Sequence, residues 1–278
     1  MIALDGKTLC GSRDGAKTAL HMVSAFATQS DLCLGQEGTR GKDHEIVAIK
    51  ALLEALTLKD CTVTIDAIGC QTEIAEKIVV QGGHYLLALK ANQGTLFDSV
   101  AELYAEGQRH GFGSLAVSRF ETLEKDHGRI ETRRHVWVGK LDWMEPSLRD
   151  DWENLAGVGM VERQRQRQRQ IKGKVSVEHT FYIGSKGVSS AQALAEAARG
   201  HWGVENRLHW VLDVTFREDE CRVRTGHLPR NLSTMRKFAL TLLRQNQQYP
   251  KRSLRSRRKT ADRLTDYRES LLDLQARE

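Results

Sequence analysis

Along the first 94 positions the spacing of apolar residues changes repeatedly, and each change marks an element. MIALD is a short apolar run, TALHMVSAFA is rich in strand formers, and DLCLGQ resumes after a turn at Gln29–Asp31, which predicts three strands. EIVAIKALLEALTL carries Ile46, Ile49, Leu52, Leu53 and Leu56 at three-and-four spacing, the stripe of an amphipathic helix. In CTVTIDA, Val63 and Ile65 alternate with Thr62, Thr64 and Asp66, the period of a strand. A helix over Thr72–Val80, a stop at Gly82-Gly83 and the strand HYLLALK follow. Strand, strand, strand, helix, strand, helix, strand predicts an α/β fold, a mixed sheet flanked by helices, in the order of the ribonuclease-H-like fold.

Beyond residue 94 the pattern divides the chain further. An amphipathic helix near Leu96–Tyr104 precedes polar strands such as RIETRRHVWVG, LAGVGMVERQ and VEHTFYIGS, so residues 95–187 are expected to form a mostly β insertion between core parts 1–94 and 188–246. Ser189 reads as the cap of a helix over AQALAEAARGHWGVENRLHWVLD, weakened by about 1 kcal/mol at each of Gly200 and Gly203 relative to Ala. LSTMRKFALTLLRQ predicts another helix, and 247–278 reads as a basic C-terminal tail.

With 278 residues, 40% of them hydrophobic, the chain can bury a substantial core. It has no apolar run of about 18 residues and no basic-then-apolar leader, so a cytoplasmic protein without membrane partners is expected. Cys10, Cys33, Cys61, Cys70 and Cys221 have neither CxxC pairing nor regular spacing, which argues for reduced thiols. Charge is concentrated. Arg244 to Arg268 holds nine Lys/Arg against Asp262 and Asp266, and RQRQRQRQ over 163–170 places four arginines at period two. Phosphate backbones are the natural partners of such runs, against the plainer reading of a solvated surface.

Three carboxylates fall where an acid needs compensation. Asp5 ends the run MIAL, and Asp66 ends the strand TVTI. At about 100° per residue, Leu194, Ala198, His201, Trp202, Leu208, His209 and Leu212 lie within about 60° of Glu205, which predicts that it sits mid-stripe on a buried helix face. An unpaired buried carboxylate costs several kcal/mol. Two Asp and one Glu supply hard oxygen ligands suited to Mg²⁺ or Mn²⁺, and two such ions about 4 Å apart serve in-line attack on a phosphodiester. The plainer readings are a hairpin turn at Asp5-Gly6, a strand end at Asp66, and a salt bridge from Glu205 to Arg199 or Arg207. Asp213, about 80° from Glu205, is the rival third acid. His201, Glu205 and His209 at four-residue spacing are too few ligands for a transition-metal site.

IALDGKTLCGS, VTIDAIGCQ, YLLALKANQ and RGHWGVENRLHWVLDVTFREDECRVR, in that order, resemble the DDE transposases of bacterial insertion sequences, and most nearly the H-repeat-associated group linked to Rhs elements. The resemblance spans Met1 to about Asn246. It implies a ribonuclease-H-like core with a β-rich insertion before the last catalytic helix, and two Mg²⁺ or Mn²⁺ ions held by the catalytic residues Asp5, Asp66 and Glu205. It also implies double-stranded DNA as partner, both element ends and target, a homo-oligomer on that DNA, and hydrolysis followed by strand transfer. Lys7, Lys90, Asn92, His201 and Arg207 are its candidate DNA contacts. Where the wider superfamily carries Tyr, Arg and Lys around the glutamate, this chain has Ala198, His201 and Leu212, so His201, Arg199 and Arg207 compete for the phosphate role. Only Met1–Leu4 precede Asp5, which raises the expectation of a truncated copy with a frayed first strand and weak metal binding. The alternatives are a nuclease of this fold that cuts without joining, and a catalytically inactive DNA-binding remnant.

Overall fold

The structure, a computed structural model, describes residues 1–15, 18–41, 44–126, 129–167 and 176–272. In chain order these form β1 (Ile2–Thr8), β2 (Leu20–Ala27), β3 (Leu32–Arg40), α1 (Glu45–Ala55), β4 (Thr62–Ile65), α2 (Thr72–Val80), β5 (His84–Leu89) and α3 (Gly94–His110). There follow β6 (Ala116–Asp126), β7 (Arg129–Gly139), α4 (Pro146–Asp150), β8 (Leu155–Arg167), β9 (Ser176–Ser185) and α5 (Ala191–Gly203). A π-helical turn over Val204–His209 leads into α6 (Trp210–Phe216), and α7 (Leu228–Gln245), α8 (Leu254–Arg263) and α9 (Thr265–Leu272) close the chain. Among the described residues no helix is long and apolar enough to cross a membrane.

The chain divides into two compact units, Met1–Leu4 with Ile49–Trp202, and Asp5–Ala48 with Gly203–Glu278. In the first, strands run in the order β1-β4-β5-β9-β8-β7-β6, with β1, β4 and β5 parallel and the others antiparallel. Strand β4 is short and apolar because both its faces are covered: Val63, Thr64 and Ile65 are buried. The four-stranded part beyond β5 packs one face on α5. There Trp137 joins Val161, Val188, Ala191, Leu194, Ala197 and Ala198 in a single cluster. Gly157 and Gly159 make this possible, since a Cβ on the first would collide with the Trp137 ring and one on the second with Leu194. Helix α3 buries Leu96, Val100 and Tyr104 at four-residue spacing, and the Tyr104 hydroxyl lies 2.8 Å from Val158 O and 3.1 Å from Val136 O.

In the second unit the strand order is β3-β2-β1, with β2 and β3 forming an antiparallel hairpin from Leu20↔Arg40 to Ala27↔Leu32. Helix α7 lies against both strands of that hairpin, and α8 and α9 pack on α7. The mixed sheet flanked by helices is therefore the predicted ribonuclease-H-like arrangement of strands and helices.

Four local expectations need correction. Strand β1 runs on through Asp5 to Thr8, so the aspartate lies within the strand rather than at its end, and Ile2, Ala3 and Leu4 before it are buried. Ser190, not Ser189, caps α5, its hydroxyl accepting the Ala193 N–H at 3.1 Å. Glu205 is not buried: it and Trp202 are exposed while Val204, Leu208 and His209 are buried, and residues Val204–His209 form a π-turn in which Trp210 N–H reaches Glu205 O five residues back. Finally, the basic stretch after residue 246 folds into α8 and α9, with Arg257, Thr260 and Tyr267 buried.

Candidate active site

In the first unit Asp66 leaves β4 and turns the chain, its Oδ1 accepting the Ile68 N–H at 3.2 Å as the cap of a short 3-10 turn over Ala67–Gly69. A serial set of contacts holds that turn. Asn92 Nδ2 donates to Ala67 O at 2.8 Å and Gln93 Nε2 to Cys70 O at 2.9 Å. Asn92, expected at DNA, thus shapes the backbone beside Asp66, while Lys90 is exposed just after β5. One pleat before Asp66, the buried Thr64 hydroxyl lies 3.1 Å from His201 Nδ1. In this unit β1 and β4 pair in register Leu4↔Ile65, the residues that Asp5 and Asp66 follow in the sequence.

The second unit contains Asp5, Lys7 and Glu205. Residues i and i+2 of a strand share a face, so Asp5 and Lys7 point the same way from β1. Asp5 Oδ2 lies 3.2 Å from Nδ1 of His209, a ring only 7% exposed. Expected at a phosphate, the Lys7 ammonium is instead enclosed by carboxylates: it is bonded to Asp213 and lies 3.2 Å from Glu218 and 3.3 Å from Asp219. Burial alone would lower the Lys7 pKa, but the Asp213 hydrogen bond and the three negative charges outweigh it and raise it. Burial and the like charges of Asp219 and Glu218 in turn lift the Asp213 carboxyl above its usual range, against the pull of Lys7. Three acids share one ammonium here. Glu218 is almost wholly buried, and its second oxygen lies 3.7 Å from Arg236.

Arg207, another candidate DNA contact, pairs with Asp31 at 2.6 Å and lies over the Phe26 ring at 5.8 Å. Gly203 lets it fold back, because a Cβ there would meet the guanidinium. Its charge is matched within the unit. Asp213, the rival third acid, is likewise committed to Lys7.

Sequence reasoning missed the Lys7 cluster and the Asp5–His209 contact. Asp5 and Lys7 stand two residues apart, but their partners lie about two hundred residues further on. The donor chemistry of Asp5, Asp66 and Glu205 suits a hard divalent ion. Among the described residues, however, no three His, Cys, Asp or Glu side chains are gathered into a group placed to hold a metal. Glu205 is exposed, so the burial argument made for it from sequence does not stand.

Residues 2–242 match the Transposase DDE domain family. YncI of Escherichia coli O157:H7, named as a candidate transposase, is 41% identical over 251 residues, 88% of this chain and 62% of its own length. YhhI of Escherichia coli K12, named as an H-repeat-associated candidate transposase, is 37% identical over 265 residues, 94% of this chain and 68% of its own length. A piggyBac transposase synaptic complex with hairpin DNA, solved by cryo-EM, is similar at a TM-score of 0.49 and 9% identity, covering all of this chain and 55% of that one. The chain thus spans about two thirds of these relatives, and by a match over nearly its whole length it belongs to the family of transposases with a DDE domain.

Proposed function

We propose that the chain catalyses metal-dependent cleavage at the ends of an insertion sequence and transfers the freed 3′ end into target DNA as a homo-oligomer, with Asp5, Asp66 and Glu205 as the carboxylates that hold Mg²⁺ or Mn²⁺. The observation that supports this most is the parallel register Leu4↔Ile65, each of these residues being followed in the chain by an aspartate, within a chain of the DDE family. When bound, the ions would activate the attacking oxygen and neutralise charge on the leaving one. The chain's own residues prepare for this. The contact of Asn92 with Ala67 fixes the turn that carries Asp66, and the Lys7 cluster anchors β1 beside Asp5. Lys90, His201 and Arg207 remain the proposed DNA contacts, with Lys90 the most accessible of the three cations considered on sequence.

The test is cleavage and joining of an element-end duplex with Mg²⁺ or Mn²⁺. Asp66→Asn should abolish both steps, by at least about 10³-fold, while leaving DNA affinity equal or slightly tighter because a negative charge is gone. Loss of binding together with loss of the circular-dichroism signal would make Asp66 structural. The alternative reading is a DNA-binding form without catalysis. A wild-type chain that binds the duplex but never cuts it would select that reading.

A further inference from the structure

Asp5 has a neighbour that neither the family match nor the carboxylate pattern assigns. His209 ends the π-turn, is 7% exposed, and brings Nδ1 to 3.2 Å from Asp5 Oδ2, while its Nε2 is buried without a hydrogen-bond partner. A buried ring nitrogen left unpaired costs about 1–3 kcal/mol. The smallest penalty falls on the tautomer with its proton on Nδ1, donated to Asp5, and a bare Nε2. On this π-turn His209 is buried while Glu205 is exposed.

We propose that His209 is a positioning residue: its Nδ1–H fixes the Asp5 carboxylate in the orientation needed of a divalent-ion ligand. This rests on the reading of Asp5 as a metal ligand. The competing account is a packing histidine. The two differ in what a side chain at 209 must provide, a donor at the Nδ1 position or merely volume.

The experiment measures Mn²⁺ binding to the full chain by electron paramagnetic resonance of the free ion, with a melting curve on each variant. In His209→Asn the amide Nδ2–H can replace Nδ1–H, and in His209→Leu nothing can. Partners of this kind typically contribute 10–100-fold to metal affinity. His209→Leu should therefore weaken Mn²⁺ binding at least about 10-fold, and His209→Asn by less than about 3-fold, with similar melting temperatures. Equal weakening in both, or none in His209→Leu, overturns the proposal. Should His209→Leu not fold, His209→Gln, whose donor reaches the Nε2 position instead, takes its place: binding lost in Gln but kept in Asn supports positioning, and equal behaviour refutes it. Asp66→Asn separates the two levels. If it leaves Mn²⁺ binding intact, the carboxylate reading itself fails; if it abolishes binding while His209→Leu does not, only the role of His209 fails.

Discussion

Two stretches of this chain are dense in arginine, and their surroundings are opposite. In β8 two of the arginines at period two meet acids directly across the ladder, Arg163 paired in register with Glu178 and bonded to it, and Arg165 with Glu131 at 2.7 Å; Arg169 lies outside the described residues. On the other face of the same strands Arg134 reaches Glu121 at 2.8 Å and Glu162 at 2.9 Å, each its cross-strand neighbour. In α8, by contrast, the one buried cation is Arg257, which donates to Asn246 O and, at 3.3 Å, to the Tyr267 hydroxyl. Arg255, Arg258 and Lys259 lie on the exposed side at i, i+3 and i+4, and among the described residues no carboxylate is within ion-pairing distance of them. Charge density along a sequence therefore does not measure charge available to a partner. A β ladder provides counter-charges in register, whereas a short helix laid on the protein with a single arginine inward leaves the rest for an outside polyanion.

The sharpest way to break this contrast is to replace Arg255, Arg258 and Lys259 with Gln. Each phosphate contact contributes about 0.9 to the slope of log K against log salt, so if all three touch a duplex the slope should fall by about 2.7 units. Fluorescence anisotropy over a salt series measures it. A fall below about half a unit would mean that the exposed face of α8 is only solvated.

Next in size is Arg257→Ala, which should act on the fold of the second unit rather than on DNA contact. It removes a buried hydrogen bond to the Tyr267 hydroxyl and a part-buried one to Asn246 O, a loss of about 2–3 kcal/mol. Calorimetry should show the drop, and hydrogen exchange should localise it to α8 and α9. If protection in those helices is unchanged, their docking does not depend on this side chain.

What the sequence displayed and what it hid follow the same physics. The run of strand formers in TVTI and the three-and-four spacing in EIVAIKALLEALTL are local signals, so β4 and α1 were legible. Helix α8 was not, because its inward residues are Arg257 and Thr260 and leave no apolar stripe. The exposed position of Glu205 was hidden because Leu208 and His209 beside it on the same stripe are buried. The pairing of Arg165 with Glu131 was hidden too, since it depends on strand register across 34 residues. Asp5 and Asp66 stood out as acids beside apolar runs, but their supports, His209 and Asn92, come from distant parts of the chain.

The smallest expected effect concerns the ladder itself. The hydrogen bond from Arg163 holds the Glu178 carboxyl below the usual 4.5. For Glu131, burial works upward, but the Arg165 hydrogen bond with the charges of Arg133, Arg165 and Arg163 outweighs it and lowers the value. A carboxylate depressed in the folded state contributes stability that is complete above its unfolded pKa and lost as pH falls through the folded one. Both pairs are substantially exposed, so together they should contribute only about 1 kcal/mol. Arg163→Gln with Arg165→Gln should accordingly lower the melting temperature by a few degrees at pH 7 and leave the DNA salt slope unchanged. The difference from the wild type should hold down to about pH 5 and shrink below pH 4.5, as the wild type loses what the variant already lacks. A melting difference that stays constant to pH 3, or a salt slope that falls by one unit or more, would show that these arginines act as free charges and would erase the contrast with α8.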